Sequence, residues 1–398
     1  LVTAALLGFS GYLATFFHIP EEHLNMAVTA FRLSAITFLF TSISSVFTQI
    51  LQGLSRFDLA SAHQSGISLL SSSAAIVLLK QGYDLLVLIQ VDFFSSIVAV
   101  IAGFLFCRIA FGQNPVSFSI SLAGIRSLLK EAAGQLTLSG LSKVLWELDS
   151  FLISRFFGIT TMASYWMAQR LSMGWRTLLW AGAWPAVPAT SESSPEAESR
   201  LKKIHWMQVS LSVPLAACLW NLSDEIIRLW AGAPDPQASF CLKTLVLAGI
   251  IDFLPATFVS HLFARGRVFL VARIMLGAAI AKVAVAGIAC YSANIVLLLA
   301  ATVAGATMFS IFIHVVAFKT IKHSFKYSMM SLVPAVLASF VSHTVLAVFQ
   351  RPDSLVNTVW FGVLFLGLAY SIVLLILRLF FGELYRSFRV QIFPQGSV

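Results

Sequence analysis

Long apolar runs dominate the chain and recur from its first residue to about Phe381. A membrane-spanning helix needs about 20 mostly apolar residues, and twelve windows approach or exceed that length. Because unpaired backbone groups are too costly in hydrocarbon, these windows are predicted to be helices packed against one another. In chain order they are residues 1–17, 27–51, 65–79, 85–106, 132–157, 162–186, 206–230, 240–263, 268–290, 295–318, 329–349 and 356–381. The sequence therefore predicts an all-α polytopic membrane protein with twelve transmembrane helices.

The composition leaves little material for a soluble domain. Charged residues make up 11% of the chain and the mean hydropathy is +0.88, whereas soluble proteins have about 25% charged residues. The sequence contains no phosphate-binding loop pattern, no grouping of nucleophile, histidine and acid, and no metal-ligand spacing. The four cysteines stand singly in or beside apolar windows and are interpreted as packed apolar residues. We therefore expect a transporter rather than an enzyme, with no cofactor and no metal.

The distribution of positive charge predicts the orientation in the membrane. With the first residue on the cytoplasmic side, the inner connections hold fifteen Lys and Arg residues and the outer ones five. This bias follows the positive-inside rule. It predicts an even number of spans, a cytoplasmic C-terminus and a cytoplasmic loop at 188–204. It also accounts for much of the net charge of +9, so no nucleic-acid partner is expected.

Two longer inner connections divide the chain. One contains the breaker cluster Gly112, Gln113, Asn114 and Pro115, followed by apolar residues at helical spacing that predict an amphipathic surface helix. The other is the loop at 188–204, which is rich in Ser, Pro, Glu and Lys. Leu1 opens inside an apolar run, so we expect that residues upstream of it are missing. The predicted domains are an N-terminal lobe of four helices at 1–110, a cytoplasmic linker at 111–131, a C-terminal lobe of six helices at 132–325, and two extra helices with a cytoplasmic tail at 326–398.

Ionisable residues inside a membrane are costly, so each is a candidate functional residue. The fifth window carries a polar stripe along one helix face, made of Gln135, Ser139, Lys143, Glu147, Ser150 and Ser154. Such a stripe is predicted to line a polar cavity. Alternatively, Lys143 and Glu147 form an i,i+4 pair that only stabilises the bundle.

The sixth window carries a polar face with positive charge. This face comprises Tyr165, Gln169, Ser172, Arg176 and Trp180, and Arg170 lies beside it. Arginine suits phosphate because its planar fork donates two parallel hydrogen bonds, and the aromatic rings offer flat surfaces to sugars. Alternatively, Trp180 belongs to an interfacial aromatic belt and Arg176 extends to the cytoplasmic surface.

Further polar residues lie in other windows. The second window has a hydroxyl stripe from Ser34 to Thr48, with Arg32 near its outer end. Hydroxyl stripes favour packing between helices over ligand binding. Asp252 is followed by Pro255, and a carbonyl freed by the proline beside a carboxylate suggests a cation or proton site, although a structural hydrogen bond is the simpler interpretation.

Several short segments, in a consistent order across residues 1–325, resemble the polysaccharide flippases. They are Gln52–Phe57, Asp149–Ser154, Ala168–Leu171, Ile227–Gly232 and Ala264–Arg267. This family includes the O-antigen and other lipid-linked oligosaccharide transporters of the multidrug/oligosaccharidyl-lipid/polysaccharide exporter superfamily.

The resemblance implies two six-helix lobes around a central cavity, with about fourteen helices in the full-length protein. It implies a flippase that carries a polyprenyl-pyrophosphate-linked oligosaccharide from the cytoplasmic to the outer leaflet of the bacterial inner membrane by alternating access, in polysaccharide or lipopolysaccharide biosynthesis. Expected partners are that lipid, membrane lipids and other membrane proteins of polysaccharide assembly.

Site residues follow from the same resemblance. Arg170 and Arg176 are expected to bind the substrate, with Lys143 and Arg32 as weaker cavity cations. Asp149 matches a recurrent acidic position, although it lies off the stripe of Glu147, and it is a candidate for ion coupling together with Asp252. The expected cavity residues are Arg170, Arg176, Lys143, Glu147, Gln169, Tyr165, Trp180 and Arg32.

Two other functions remain open. A multidrug or organic-cation antiporter of the same superfamily would need carboxylates in its cavity, and the excess of intramembrane cations argues against it. A membrane-embedded enzyme of the same pathway would be expected to have a large outward loop bearing Arg or His, whereas the longest loops here face inward.

Overall fold

The computed structural model describes residues 2–17, 19, 21–54, 56–112, 122–183, 195–321 and 362–371, with a few single positions between 333 and 344. All regular elements in these residues are α-helices. The chain divides into two compact units, Leu1–Leu122 and Ala123–Val398.

The described part of the first unit contains four helices: α1 (Val2–Phe16), α2 (Glu21–Gly53), α3 (Phe57–Lys80) and α4 (Leu85–Phe111). Helices α2 and α4 pack closely, because Gly103 has no side chain where a Cβ would come within 2.9 Å of Phe47. Leu51, Ala60 and Cys107 form a small buried core between α2, α3 and α4.

The described part of the second unit contains nine helices. They are α5 (Leu122–Phe156), α6 (Ile159–Ala183), α7 (Pro195–Asn221), α8 (Ser223–Ala231), α9 (Pro236–Phe253), α10 (Ala256–Ala264), α11 (Val268–Tyr291), α12 (Ile295–Ile321) and α13 (Gly362–Ser371). Helix α9 packs against α6, α7 and α12. Its N-terminus is fixed by Asp235, whose carboxylate accepts hydrogen bonds from the backbone N–H of Ala238 at 2.9 Å and from the Ser164 hydroxyl at 2.6 Å, as expected of an N-cap residue.

Two predicted windows are each broken into two helices. The window at 206–230 is interrupted at Leu222, where α7 ends and the short α8 begins. The window at 240–263 is interrupted at Leu254 and Pro255. Pro255 lacks the N–H that a continuous helix would need, so α9 ends and α10 starts beside Asp252.

The prediction of an all-helical polytopic membrane protein is confirmed. Within the described residues, six helical segments are long and apolar enough to cross a membrane by length and composition: His23–Gly53, Asp58–Lys80, Leu86–Phe111, Pro236–Ala264 (α9 and α10 together), Val268–Tyr291 and Ile295–Lys319. The two last windows, 329–349 and 356–381, lie mostly outside the described residues.

One prediction about the inner connections is wrong. The expected loop at 188–204 is helical from Pro195 onward, because Ala197, Leu201 and His205 recur at i,i+4 spacing and are all buried. Its first part, 188–194, lies outside the described residues. The surface helix predicted within 111–131 is the start of α5, which runs without interruption from Leu122.

Candidate functional site

Asp149 lies in the interior of the second unit, and its side chain is 0% exposed. Its Oδ2 atom accepts hydrogen bonds from Lys282 Nζ at 2.9 Å, from the Thr302 hydroxyl at 2.6 Å and from the Tyr165 hydroxyl at 3.4 Å. Lys282 also donates to the backbone carbonyl of Leu145. This cluster connects α5, α6, α11 and α12 through buried side chains.

The Asp149–Lys282 pair is an ion pair that the sequence did not reveal. Both side chains are fully buried, and the two residues are 133 positions apart in the chain. A lone lysine in an apolar helix signals a buried partner, but not which carboxylate that partner is. The second carboxylate oxygen of Asp149, Oδ1, is buried and has no hydrogen-bond partner among the described residues.

Arg176 forms a second buried ion pair. Its Nη2 atom lies 3.1 Å from Oδ2 of Asp252, and the two side chains are 15% and 4% exposed. The guanidinium carbon lies 3.3 Å from the centre of the Trp146 ring, which is a cation–π contact. Gly249 makes room for this arrangement, because a Cβ there would lie 3.2 Å from Cδ of Arg176 and 3.0 Å from the ring of Trp175.

The guanidinium of Arg176 is only partly satisfied. Its Nε atom is buried and has no hydrogen-bond partner in the described part of the chain, although arginine carries five N–H donors. The side chain is held by one carboxylate and one ring face. At least one donor of this side chain, Nε, is therefore unused among the described residues.

Gln169 connects the stripes of α5 and α6. Its Oε1 atom accepts from the Ser150 hydroxyl at 2.7 Å, and its Nε2 atom donates to the backbone carbonyl of Trp146 at 3.1 Å. It thereby fixes the segment of α5 that supports the Arg176 guanidinium. Trp180 packs edge-on against Phe253, with ring centres 6.1 Å apart.

The remaining predicted residues lie on exposed surfaces. Lys143 and Glu147 form an ion pair with each other, and their side chains are 66% and 41% exposed. Arg170 is exposed, on the face of α6 opposite the buried Tyr165. Arg32 belongs to the first unit, where it is exposed and its Nε donates to the Ser10 hydroxyl at 3.3 Å.

Apart from Trp180, the predicted site residues of the second unit fall into two groups. Tyr165, Gln169, Arg176, Asp149 and Asp252 meet in a buried polar network. The exposed group contains Lys143, Glu147 and Arg170. The residues that sequence reasoning did not assign to the site are Lys282, Thr302, Trp146 and Gly249, which complete the buried network.

A bundle of long apolar helices that encloses two ion pairs has the character of a polytopic membrane transporter. Comparison with known proteins agrees with this class. A family model described as "Polysaccharide biosynthesis protein" matches residues 1–193, which is just under half of the chain. No curated protein matches the chain.

Among solved structures, one described as the lipid II flippase MurJ in an inward closed conformation matches with a TM-score of 0.72 and 14% identity. The match covers 96% of this chain and 82% of that chain. At this identity the likeness establishes a common fold. The two matches support the predictions of the family and of a transporter rather than an enzyme.

Proposed function

We propose that the protein is a flippase that moves a polyprenyl-pyrophosphate-linked oligosaccharide from the cytoplasmic to the outer leaflet of the bacterial inner membrane. The substrate class belongs to polysaccharide biosynthesis, with O-antigen or a related lipopolysaccharide precursor as the finer assignment. The family match and the fold shared with a protein described as a lipid II flippase support this proposal. Transport proceeds by alternating access, with the C-terminus in the cytoplasm.

The proposal rests mainly on the contacts of Arg176 in the interior of the second unit. A pyrophosphate that crosses the bilayer needs fixed positive charge, because an unpaired anion in a low-dielectric interior is prohibitively costly. Arg176 is held in place by Asp252 and Trp146, and its Nε still lacks a partner. A fixed guanidinium with unused donors matches the two-pronged geometry of phosphate recognition.

Asp252 provides a means of releasing the substrate from Arg176. Its carboxylate competes with the pyrophosphate for the same guanidinium, so the anion is never the sole partner of Arg176. Engagement of the substrate weakens the 3.1 Å ion pair, and its re-formation displaces the substrate. The exposed cation Arg170 supplies further positive charge for the initial capture of the anion, and Lys143 contributes less because it is paired with Glu147.

The antiporter alternative receives less support from these contacts. An organic cation needs a carboxylate that is not already neutralised, whereas Asp149 is paired with Lys282 and Asp252 with Arg176. Asp149 and Asp252 remain candidates for ion coupling within the proposed flippase.

Reconstitution in proteoliposomes tests the function directly. A fluorescent undecaprenyl-pyrophosphoryl disaccharide is placed in both leaflets, and its movement is followed by the fraction accessible to an impermeant quencher. The wild type is expected to move the lipid. Arg176→Ala is expected to abolish movement, whereas Arg176→Lys keeps the charge without the planar fork and retains partial activity.

Arg273→Ala is the matched control, because Arg273 is exposed on α11 and lies outside the buried network. It is expected to transport like the wild type. Each variant is first required to give the same gel-filtration profile as the wild type. Wild-type movement in an Arg170→Ala/Arg176→Ala double variant would contradict the proposed role of these arginines, and no movement by the wild type would contradict the function.

A further inference from the structure

A cavity lined mainly by hydroxyl-bearing residues lies within the first unit, between α2, α3 and α4. Its volume is about 600 Å³, within the range of about 300–1,000 Å³ that is usual for small-molecule sites. Nine of its fourteen lining residues are Ser or Thr. All three helices are otherwise apolar enough to cross a membrane, so the concentration of hydroxyls on one concave surface requires an explanation.

The hydroxyl stripe of α2 contributes to this cavity. The sequence favoured packing between helices for this stripe, yet Thr37, Thr41, Ser45 and Thr48 all line the cavity. Polar groups at membrane depth are costly unless they are hydrogen-bonded. Because these hydroxyls face an open volume, their position favours contact with a polar ligand.

Several hydroxyl groups that line the cavity already donate their proton to a hydrogen bond within the protein. Thr37 donates to the carbonyl of Leu33 at 2.9 Å, and Ser45 to that of Ser42 at 2.7 Å. Ser71 donates to Oδ1 of Asp92 at 3.0 Å. A hydroxyl has a single proton, so these oxygens face the cavity as acceptors.

The charge of the lining residues further limits which ligands the cavity can bind. Asp92 is a lining carboxylate, and the fourteen lining residues include no Lys or Arg. An anion such as pyrophosphate would be repelled. A guest rich in hydrogen-bond donors and without negative charge is favoured.

The length of the polar lining distinguishes a polyhydroxylated guest from a single ion. From Thr37 to Thr48 is eleven residues along α2, which is about 16 Å at a rise of about 1.5 Å per residue. A hard cation requires oxygen ligands that converge to about 2.0–2.6 Å. A surface this long instead offers successive hydrogen-bonding positions to a chain of sugar rings.

One side of the cavity is fixed by His63, which is 3% exposed. One ring nitrogen lies 3.2 Å from the Thr48 hydroxyl, and the other lies 2.8 Å from the carbonyl oxygen of Ala99. These contacts join α3 to α2 and α4. The lining is therefore preorganised by the protein.

We propose that this cavity binds the uncharged saccharide portion of the transported lipid, with Asp92 accepting hydrogen bonds from sugar hydroxyls. The proposal rests on the proposed function, since it assigns the sugar and the pyrophosphate of one substrate to different residues.

The test compares two probes that differ only in the sugar. Farnesyl pyrophosphate is one probe, and the other is the same anchor carrying a disaccharide of glucose, galactose or N-acetylglucosamine. Dissociation constants are measured with the full chain in lipid nanodiscs. The wild type is expected to bind at least one sugar-bearing probe more tightly than the bare anchor.

Asp92→Asn preserves the shape and removes the charge, and it is expected to weaken binding of the sugar-bearing probe about tenfold or more without changing binding of the bare anchor. Ser45→Ala is expected to weaken the same probe about two- to tenfold. Ser42→Ala is the matched control, because Ser42 makes a similar 2.7 Å bond to the carbonyl of Phe38 on the same helix but does not line the cavity.

The outcomes separate the two proposals. If the wild type binds the bare anchor as tightly as every sugar-bearing probe, the saccharide site is refuted and the proposed function stands. If it binds neither kind of probe, both proposals are refuted. If Asp92→Asn weakens both kinds equally and the effect depends on sodium, the cavity is a cation site and the saccharide assignment is refuted.

Discussion

The fully buried Asp149–Lys282 pair predicts a large and specific loss of stability when one partner is removed. In Lys282→Met the methionine fills a similar volume, but Oδ2 of Asp149 loses its cationic partner and keeps only the hydroxyls of Thr302 and Tyr165. The carboxylate is 0% exposed and cannot recover its charge stabilisation from water. Removal of one partner of such a pair costs about 3–5 kcal/mol.

The matched control is the exposed pair on α5. Lys143→Met breaks an ion pair whose side chains are 66% and 41% exposed. Pairs of this kind contribute about 0–1 kcal/mol. Replacing both Lys143 and Glu147 with apolar residues should therefore leave the stability near that of the wild type.

The assay is an unfolding titration with SDS in mixed micelles, which gives the free energy of unfolding of each variant. Lys282→Met is expected to lose several kcal/mol, and Asp149→Asn/Lys282→Met is expected to recover part of the loss because no uncompensated charge is left. A loss below about 1 kcal/mol for Lys282→Met, similar to that of an exposed pair, would refute the reasoning. A double variant that is no more stable than the single one would refute it as well.

Two further predictions follow from the fold. Gly249→Ala places a Cβ against Trp175 and Arg176 at 3.0–3.3 Å, so it should lower the free energy of unfolding in the same titration by about 1–3 kcal/mol. It should also slow lipid movement in proteoliposomes. Wild-type values in both assays would contradict the packing described. A cysteine at the exposed position Ala233 should react with an impermeant thiol reagent added to intact cells, whereas a cysteine at the exposed position Glu198 should react only after permeabilisation. Labelling of both in intact cells would contradict the orientation.

The sequence alone was sufficient to locate most of the helices. Apolar windows located them, because length and hydropathy decide which segments can lie in a membrane. Pro255 marked the break between α9 and α10 through its missing N–H. The helical start of α7 at Pro195 was missed because its charged residues resemble a solvated loop, and burial of Leu201 becomes apparent only from the tertiary packing.

The site was only partly predictable for a different reason. Helical spacing places Gln169 and Arg176 on one face, and the structure joins both to the interior of the second unit. The same spacing cannot show which residue lies opposite each of them. The pairing of Arg176 with Asp252, 76 positions away, and the contact with Trp146 depend on how α5, α6 and α9 pack, which no local pattern contains.

The two buried ion pairs differ in a way that suggests different roles. Asp149 Oδ2 accepts from three side chains, and Lys282 bonds both this carboxylate and a backbone carbonyl, so the pair holds four helices together. Arg176 keeps some exposure and an unused Nε donor. Alternating access in the proposed flippase moves lobes largely as rigid bodies. Such a lobe needs internal connections that stay closed, and the Asp149–Lys282 pair supplies one. It also needs a charge that can exchange partners, and Arg176, paired with Asp252, supplies that charge.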